Sequence, residues 1–386
     1  MRLVNCYRIV LFTTLSLSPL FFWPASAVVH EVPKVWLVLG LIELFALITI
    51  LRITTGGKVN KLVNIWPVLV FVLVAFVTSA LGADFRKSFF GNFYRLDGLI
   101  TLIHLIAFAL SVALFARKKD IEIAFLGFVI GTAILSVWAV WDFLLTGSNP
   151  VSISFGNPNF LGGYLAVTAP FLVYFFAKAK TKGIKSILLL VFLIQIVAVL
   201  LTHSIGAILT MGFGLFVYFW YKRGKKAKLF LGVLLLFAVA FYLWNLLNYA
   251  PGIDLVYEGR QRIILKTLSG VDATNRYLFG FGVANVDYAF DAGVWPLPVY
   301  GDVYLDKAHS TLLESFLTTG FVGLASYLIL LFVVLKTHYI RSKKIKINRV
   351  LFFVPVLYLV HAQTNVISIS EELLFWFAVG VSVIES

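Results

Sequence analysis

The residue of this chain best placed for acid–base chemistry is His309, which stands between a long polar stretch and an apolar run. Its surroundings read Asp306-Lys-Ala-His-Ser-Thr-Leu-Leu-Glu-Ser-Phe-Leu-Thr-Thr-Gly-Phe-Val-Gly323. An imidazole at the mouth of a membrane helix titrates near neutral pH and reaches both water and a lipid-borne substrate. His309 is therefore a candidate general base for a membrane-anchored substrate. The alternative interpretation is an interfacial histidine that bonds to a loop carbonyl.

Three arginines precede His309 in the same polar stretch: Arg260, Arg262 and Arg276. A guanidinium stays protonated and binds phosphate oxygens through two parallel hydrogen bonds. The three side chains together suit a phosphate-bearing ligand. Anchoring to lipid headgroups is the alternative interpretation of the same residues.

Two further polar motifs lie in predicted connections. Arg95 occupies Gly91-Asn-Phe-Tyr-Arg-Leu-Asp-Gly98, where it serves either a ligand or an interfacial turn. The run Gly156-Asn-Pro-Asn159 predicts a turn and a helix start, because asparagine caps helix N-termini. Ligand contact by its two asparagines, Asn157 and Asn159, is the second interpretation.

Composition places these residues in a membrane protein. Of 386 residues, 61% are hydrophobic and 13% are charged, against about 25% charged in soluble domains, and the mean hydropathy is +0.96. A single cysteine, Cys6, excludes internal disulfides and cysteine-based metal clusters. No HExxH, CxxC or Walker-type glycine loop occurs, and no tight Asp/Glu/His cluster suggests a metal site, so neither a metal nor another cofactor is expected.

Apolar periodicity predicts an all-α polytopic membrane protein with about twelve transmembrane helices. Most of the 32 lysines and arginines lie in alternate connections, so the positive-inside rule places both termini in the cytoplasm. The same distribution explains the +14 net charge and argues against nucleic-acid binding. The predicted spans are 6–28, 33–53, 61–82, 98–116, 121–145, 161–178, 184–201, 205–221, 229–247, 310–335, 349–361 and 371–385.

The chain is interpreted as a single integral-membrane domain, 1–386, with one large extracytoplasmic loop, 248–308. Within that loop the best helix candidate runs from Glu258 to Leu268 and is expected to end at Ser269-Gly270. The first apolar segment is interpreted as a retained helix, with a cleaved signal peptide as the alternative.

A transporter and an enzyme acting on a lipid-borne substrate make different demands on such a chain. Transporters hold buried ionisable residues near the bilayer midplane on helices broken by Gly or Pro. Here the clearest ionisable residues within spans are Glu43, His104, Asp142 and Glu314, and no pair of broken helices repeats between the halves. Polar residues concentrate on the predicted outer side, which favours a site at the membrane–water boundary.

Four blocks in fixed order resemble the O-antigen ligase/O-antigen polymerase family of bacterial inner-membrane proteins, over about residues 89–380. The order and spacing of the blocks carry the resemblance, whereas each block alone is weak. The blocks are Gly91–Ile100, Gly156–Tyr164, Gly259-Arg260 followed by a helix and Leu278-Phe-Gly-Phe-Gly282, and Ala308–Gly323.

The resemblance implies a metal-independent glycosyltransferase of the cytoplasmic membrane with its active site facing outward. Family members transfer a glycan from undecaprenyl diphosphate to an acceptor hydroxyl. A ligase passes the whole glycan to a lipid, protein or other acceptor, and a polymerase passes a growing chain to the next lipid-linked repeat. Both outcomes stay open, as do two other classes: a transporter or flippase of lipid-linked saccharides, and a non-catalytic partner in envelope assembly.

The resemblance also assigns roles to residues. It implies that Arg260 binds the diphosphate and that His309 accepts the proton of the acceptor hydroxyl. Arg262, Arg276 and Arg95 are secondary candidates for phosphate contact. Asn157, Asn159 and His203 are candidates for contact with diphosphate or glycan, although the position of His203 in a short turn favours a structural role.

One position departs from the family pattern. Members usually carry Ser-Arg-Gly-Ala where this chain has Ser204-Ile-Gly-Ala207. Isoleucine cannot bind phosphate. Either another cation such as Arg262, Arg95 or His203 replaces the missing arginine, or the chain has altered or lost activity.

Overall fold

The computed structural model describes residues 2–222, 260–293 and 305–385, with side chains described up to residue 217 and again from residue 263. These residues form α-helices and one 3₁₀ turn, and they contain no β-strand, which confirms the all-α prediction for this part of the chain. The helices are α1 Arg2–Leu17, α2 Glu31–Thr54, α3 Trp66–Ala80, α4 Phe85–Phe90, α5 Leu99–Phe115, α6 Lys118–Thr146, α7 Pro158–Lys178, α8 Lys182–Leu201, α9 Ile205–Lys222, α10 Arg260–Thr274, α11 Val286–Ala292, α12 Thr311–Ser342, α13 Lys346–Ala362 and α14 Ile369–Ser382.

Five of these helices, α2, α6, α7, α8 and α12, are long and apolar enough to cross a membrane. At 1.5 Å per residue, their 20 to 32 residues reach or exceed the roughly 30 Å of a hydrocarbon core. Helices α3 and α5 and the first part of α9 are apolar but shorter. The chain is thus a helical membrane protein, and the total of twelve spans stays a prediction. The predicted span 229–247 lies outside the described residues.

Helix α7 lies at the centre of the bundle. Nearly every side chain from Phe160 to Leu172 is buried, and α7 packs against α8, α9 and α13. Gly163 allows the closest approach, because a Cβ atom there would lie 1.9 Å from Cε1 of His361 on α13. Contact this close requires glycine, so the sequence of α7 sets how tightly the bundle closes.

The first helix is shorter than predicted. It ends at Leu17, and residues 18–28, which belong to the predicted span 6–28, form turns and irregular structure instead. Pro19 and Pro24 explain the difference. Proline has no N–H for a helical bond, and it disfavours the α conformation of the residue before it.

Helix α10 is longer than predicted and continues through Gly270 to Thr274. Gly270 serves a helix contact instead of a helix end, since a Cβ atom there would lie 1.8 Å from the carbonyl oxygen of Ala289 on α11. The described part of the predicted loop 248–308 thus holds two packed helices, α10 and α11. Residues 248–259 and 294–304 of that loop lie outside the described residues.

The connections collect at two ends of the bundle. At one end, a cavity brings together Arg95, Lys307 and Asn365 from three different connections. At the other, a cleft brings together Lys178 at the end of α7 and Lys346 at the start of α13. This sorting agrees with the alternation of basic and polar connections in the sequence. The end with Arg95, Lys307 and Asn365 is called the polar end, and the end with Lys178 and Lys346 is called the basic end.

Candidate active site at the polar end

The segment that carries His309, residues 305–310, is fixed by ion pairs to the connection between α4 and α5. The Arg95 guanidinium donates from Nε to Oδ2 of Asp306 and from Nη2 to Oδ1, the latter over 3.3 Å. The Lys307 ammonium lies between two carboxylates, those of Asp97 and Glu314, and its Nζ is 2.5 Å from Oε1 of Glu314. Two adjacent residues of the segment are therefore held by opposite charges.

The pKa values of Asp97 and Lys307 follow from this arrangement. Burial alone acts to raise the pKa of the Asp97 carboxyl, but the Lys307 ammonium and the Asn92 backbone N–H outweigh burial, and the pKa lies below its usual value. Burial likewise acts to lower the pKa of Lys307, but the two neighbouring carboxylates outweigh it and raise that pKa. Both groups are ionised throughout the neutral range.

His309 has an uncommon backbone conformation. Its φ angle is +56°, in the left-handed region that residues other than glycine, asparagine and aspartate seldom adopt. Ser310 follows as the N-cap of α12, accepting a bond from the Leu313 N–H and donating to Oε1 of Gln363 over 3.0 Å. The conformation of His309 is thus imposed by anchors on both sides. Such locally strained residues are concentrated at functional sites.

A cavity of about 220 Å³ lies beneath this segment. Its lining combines carboxylates, two cations, hydroxyl groups and aromatic rings with aliphatic side chains such as Leu102, Val366 and Ile369. Tyr358 donates a 2.7 Å hydrogen bond to Glu372 in its wall. The lining includes Glu31, Arg95, Asp97, Thr101, Lys307, Thr311, Glu314, Ser315, Thr318, Thr319, Tyr327, Tyr358, Asn365, Glu372 and Trp376. Among the residues the structure describes, no group of three His, Cys, Asp or Glu is arranged to hold a metal ion.

The glycine-containing turn Leu278–Gly282 packs backbone to backbone against α12. Gly320 breaks the helical conformation with φ +66°, and a Cβ atom there would lie 2.1 Å from the Leu278 carbonyl oxygen. The Phe281 N–H donates to the Leu317 carbonyl over 2.9 Å, and the Phe321 N–H donates to the Tyr277 carbonyl over 2.8 Å. The third and fourth sequence blocks are therefore one structural unit.

Arg260 is the first residue of α10, and the side chains of Arg260 and Arg262 lie outside the described part. The next turn of the helix is described, and Ile263 forms a buried cluster with Phe290 and Leu305. Leu305 directly precedes the ion-paired segment. The helix that begins at Arg260 is thereby attached to the segment that carries His309.

Arg276 binds carbonyl oxygens within the protein. Its Nη1 donates to Gly280 over 3.1 Å and to Leu81 over 3.3 Å, and its guanidinium lies over the ring of Phe281. These contacts hold the glycine-containing turn in place. The predicted phosphate contact of Arg276 stays a prediction and requires these bonds to be shared with the ligand.

The predicted helix start at Gly156-Asn-Pro-Asn159 is confirmed. Asn157 is the N-cap of α7 and accepts a 2.8 Å bond from the Asn159 N–H. The Asn159 side chain accepts a 2.7 Å bond from the Ser204 hydroxyl, which links α7 to the turn before α9. Arg95 reaches this region as well, with its guanidinium 5.7 Å from the centre of the Phe160 ring. The first and second blocks thus meet at Arg95, which also binds Asp306, two residues before the fourth block.

His203 lies in the turn that joins α8 to α9, and Ile205 is the first residue of α9. His203 is exposed with φ +50°, and Ile205 is 75% exposed. Gly206, the residue after Ile205, lies against Asn365 of the cavity lining, because a Cβ atom on Gly206 would lie 2.1 Å from the Nδ2 atom of Asn365. The family arginine would therefore stand beside a cavity-lining residue, at a position with room for a long side chain.

The sequence interpretation did not single out Lys307, Asp97, Asp306 or Glu314 as site residues. One local signal exists, since Asp306-Lys307 places both charges two or three residues before His309. Their partners come from distant parts of the chain, and only the packing of the helices identifies them.

No protein-family model matches this chain, and no curated protein matches it. The resemblance described above therefore depends on the four sequence blocks alone. Their arrangement is the relevant structural observation. The turn of the third block is bonded to α12 in the fourth, and Arg95 and Asp97 of the first block form ion pairs with Asp306 and Lys307, which directly precede the fourth.

Proposed function

We propose that this protein transfers a glycan from undecaprenyl diphosphate to an acceptor hydroxyl at the outer face of the cytoplasmic membrane, as an O-antigen ligase or polymerase does. In this proposal the polar end faces outward, both termini are cytoplasmic, and about twelve spans surround the site. The substrates would be a lipid-linked glycan donor and a glycan, lipid or protein acceptor.

The observation that supports the proposal is that residues of the first block hold the segment with His309, while the turn of the third block holds the helix that follows it. Arg95 and Asp97 of the first block bind Asp306 and Lys307, next to the fourth. The turn of the third block is bonded to α12. A transferase needs its base, its leaving-group site and its acceptor site in one place, and contacts between residues distant in the chain at this segment support such a site.

In the proposed reaction the acceptor oxygen attacks the anomeric carbon as its proton passes to His309. The bond between that carbon and the diphosphate oxygen breaks, and the electron pair leaves with undecaprenyl diphosphate. Arg260 stabilises the charge that develops on this leaving group, which lowers the barrier more than it strengthens substrate binding. A single displacement of this kind inverts the anomeric centre.

Deletion of the gene in its native host, followed by electrophoresis of surface and lipid-linked glycans, tests the proposal. A ligase would leave long polymer on the lipid carrier and no mature conjugate. A polymerase would leave conjugates with a single repeat and no ladder. An unchanged pattern in a strain without a second such enzyme would contradict glycan transfer.

A second candidate is a transporter or flippase of lipid-linked saccharides. The charged lining of the cavity favours it, since Glu31, Glu314 and Glu372 belong to helices and ionisable groups at such positions often mark transport paths. The two candidates differ at His309. A flippase would still move its substrate in a His309→Ala variant, whereas the transferase would lose its reaction.

A further inference from the structure

A second cavity lies at the basic end, away from the proposed active site. It is a cleft of about 940 Å³ between α6, α7, α8, α9 and α13. Its volume falls at the upper end of the roughly 300–1,000 Å³ usual for small-molecule sites. Several small residues line it, among them Ala166 and Ala169 of α7 and Gly214 of α9.

The walls of the cleft are apolar over their length. Leucine, isoleucine, valine and phenylalanine side chains from four helices form them, among them Leu188, Leu189, Phe192 and Phe353. A ligand with hydrocarbon chains would pack against such walls, since burial of each methylene group contributes roughly 0.8 kcal/mol to the free energy of binding. The inside of the cleft therefore suits acyl chains.

The rim of the cleft is strongly cationic. Five basic side chains stand there, and all are exposed: Lys118, Lys178, Lys344, Lys346 and Arg349. They come from the start of α6, the end of α7 and the start of α13, so the fold has gathered charges that are distant in sequence.

One acidic residue, Glu122, shares the rim, and it is already engaged. Its carboxylate is 2.7 Å from Nζ of Lys178 and accepts a 2.8 Å hydrogen bond from the Tyr174 hydroxyl. Within residues 2–222, 260–293 and 305–385, no carboxylate lies within ion-pair distance of Lys344 or Lys346. The rim thus keeps a net positive charge directed at whatever enters the cleft.

We propose that this cleft binds an anionic phospholipid of the membrane, with its acyl chains between the helices and its phosphate at Lys344, Lys346 and Arg349. The apolar walls match the acyl chains of such a lipid. The cationic rim, at the end of the bundle, matches its phosphate headgroup. Basic pockets between transmembrane helices favour anionic headgroups, at about 1 kcal/mol for each cation near the surface. The proposal is independent of the reaction at the polar end.

Native mass spectrometry of the delipidated full-length protein tests it, with phosphatidylglycerol and phosphatidylcholine of identical acyl chains as probes. The wild type is expected to bind the first phosphatidylglycerol roughly 10- to 100-fold more tightly than phosphatidylcholine. The triple variant Lys344→Gln/Lys346→Gln/Arg349→Gln is expected to lose this preference. The charge-preserving variant Lys344→Arg/Lys346→Arg/Arg349→Lys is expected to keep it.

The matched control neutralises three lysines at the same end that do not line the cleft, in Lys58→Gln/Lys180→Gln/Lys343→Gln. It is expected to keep the preference of the wild type. If the triple cleft variant does not fold, Lys346→Gln alone is expected to weaken phosphatidylglycerol binding roughly 5-fold. Equal binding of the two lipids by the wild type, or an equal loss in the control, would overturn the proposal. So would a cross-link placing residues 229–247 inside the cleft.

Discussion

Arg95 and Asp306 stand 211 positions apart in the chain and are joined by two hydrogen bonds from one guanidinium to one carboxylate. The side-chain exposure of the pair is 21% and 18%, so water screens it only in part. Planar arginine matches a carboxylate with two bonds, and lysine cannot reproduce this geometry. The pair thereby sets the position of the segment that leads into His309.

The role of His309 predicts a specific loss of activity. Substitution His309→Ala is expected to lower glycan transfer by about 10²- to 10⁴-fold, because the acceptor hydroxyl loses its proton acceptor. The measurement is complementation of the deletion strain, with the amount of protein in the membrane determined in parallel. His104→Gln is the control, since His104 lies on α5 beside Glu43. A fully active His309→Ala protein would contradict the assignment.

The charge of Lys307 is predicted to stabilise the segment before His309. Lys307→Met leaves the carboxylates of Asp97 and Glu314 without their shared cation, and loss of one member of a buried pair costs about 3–5 kcal/mol. The unfolding temperature in detergent is expected to fall accordingly. The combined variant Asp97→Asn/Lys307→Met should be less destabilised than the sum of its two changes. Strict additivity would show that the two side chains do not interact.

The same pair predicts how stability depends on pH. Because the pKa of Asp97 is lower in the folded protein than the roughly 3.9 of an unfolded chain, its contribution is complete above that value. It is lost as the pH falls through the folded-state pKa. Unfolding temperatures should therefore fall more steeply in the wild type than in Asp97→Asn below about pH 4, with little difference in slope above about pH 5. Parallel curves for the two proteins would contradict the charge pairing.

Substitution by alanine is predicted to change stability differently at Gly320, in the break of α12, and at Gly212, on α9. Gly320→Ala is expected to destabilise the protein, because φ +66° alone costs a non-glycine residue about 1–3 kcal/mol and the added Cβ meets the Leu278 carbonyl. Gly212→Ala on α9 meets no atom within 4 Å and is expected to be neutral or stabilising by about 0.5–1 kcal/mol. Thermal unfolding of both variants measures the difference. A stable Gly320→Ala protein would mean that the turn and helix are not in close contact.

The two ends of the bundle predict the result of cysteine labelling. In a Cys6→Ser background, an impermeant maleimide is expected to label Ser148→Cys in intact spheroplasts. Thr55→Cys, in a basic connection, should react only after permeabilisation. Both positions are exposed, so access to the reagent depends on the side of the membrane. The reverse pattern would invert the proposed topology.

Local chemistry was sufficient to predict some elements. The cap at Asn157 could be foreseen because the cap, the following proline and the bonded N–H all lie within three residues. The end of α1 at Leu17 was not predicted, because the span was assigned from the hydrophobicity of the whole run, which does not register the helix-breaking effect of Pro19. The continuation of α10 through Gly270 was missed for another reason, because a tertiary contact with Ala289 overrides the usual tendency of glycine to end a helix.

The candidate site was only half predictable. His309 was identified from its position between polar and apolar stretches, which is a local signal. The residues that hold its segment in place were not predicted. The partners of Asp306 and Lys307 are Arg95 and Asp97, about two hundred residues earlier in the chain. Nothing in the spacing of these charges indicates their pairing. Only the packing of α3 and α5 against the last helices brings them together.

The hydrogen bonds between the turn Leu278–Gly282 and α12 restrict insertions and deletions in these two segments. The carbonyls of Leu317 and Thr318 accept hydrogen bonds from the N–H groups of Phe281 and Gly282, so the turn supplies hydrogen bonds at the break in α12. A residue gained or lost in either segment would shift one set of donors against the other. Insertions and deletions in the two segments should therefore be inherited together, while the exposed connection at Gly147 is free to vary in length.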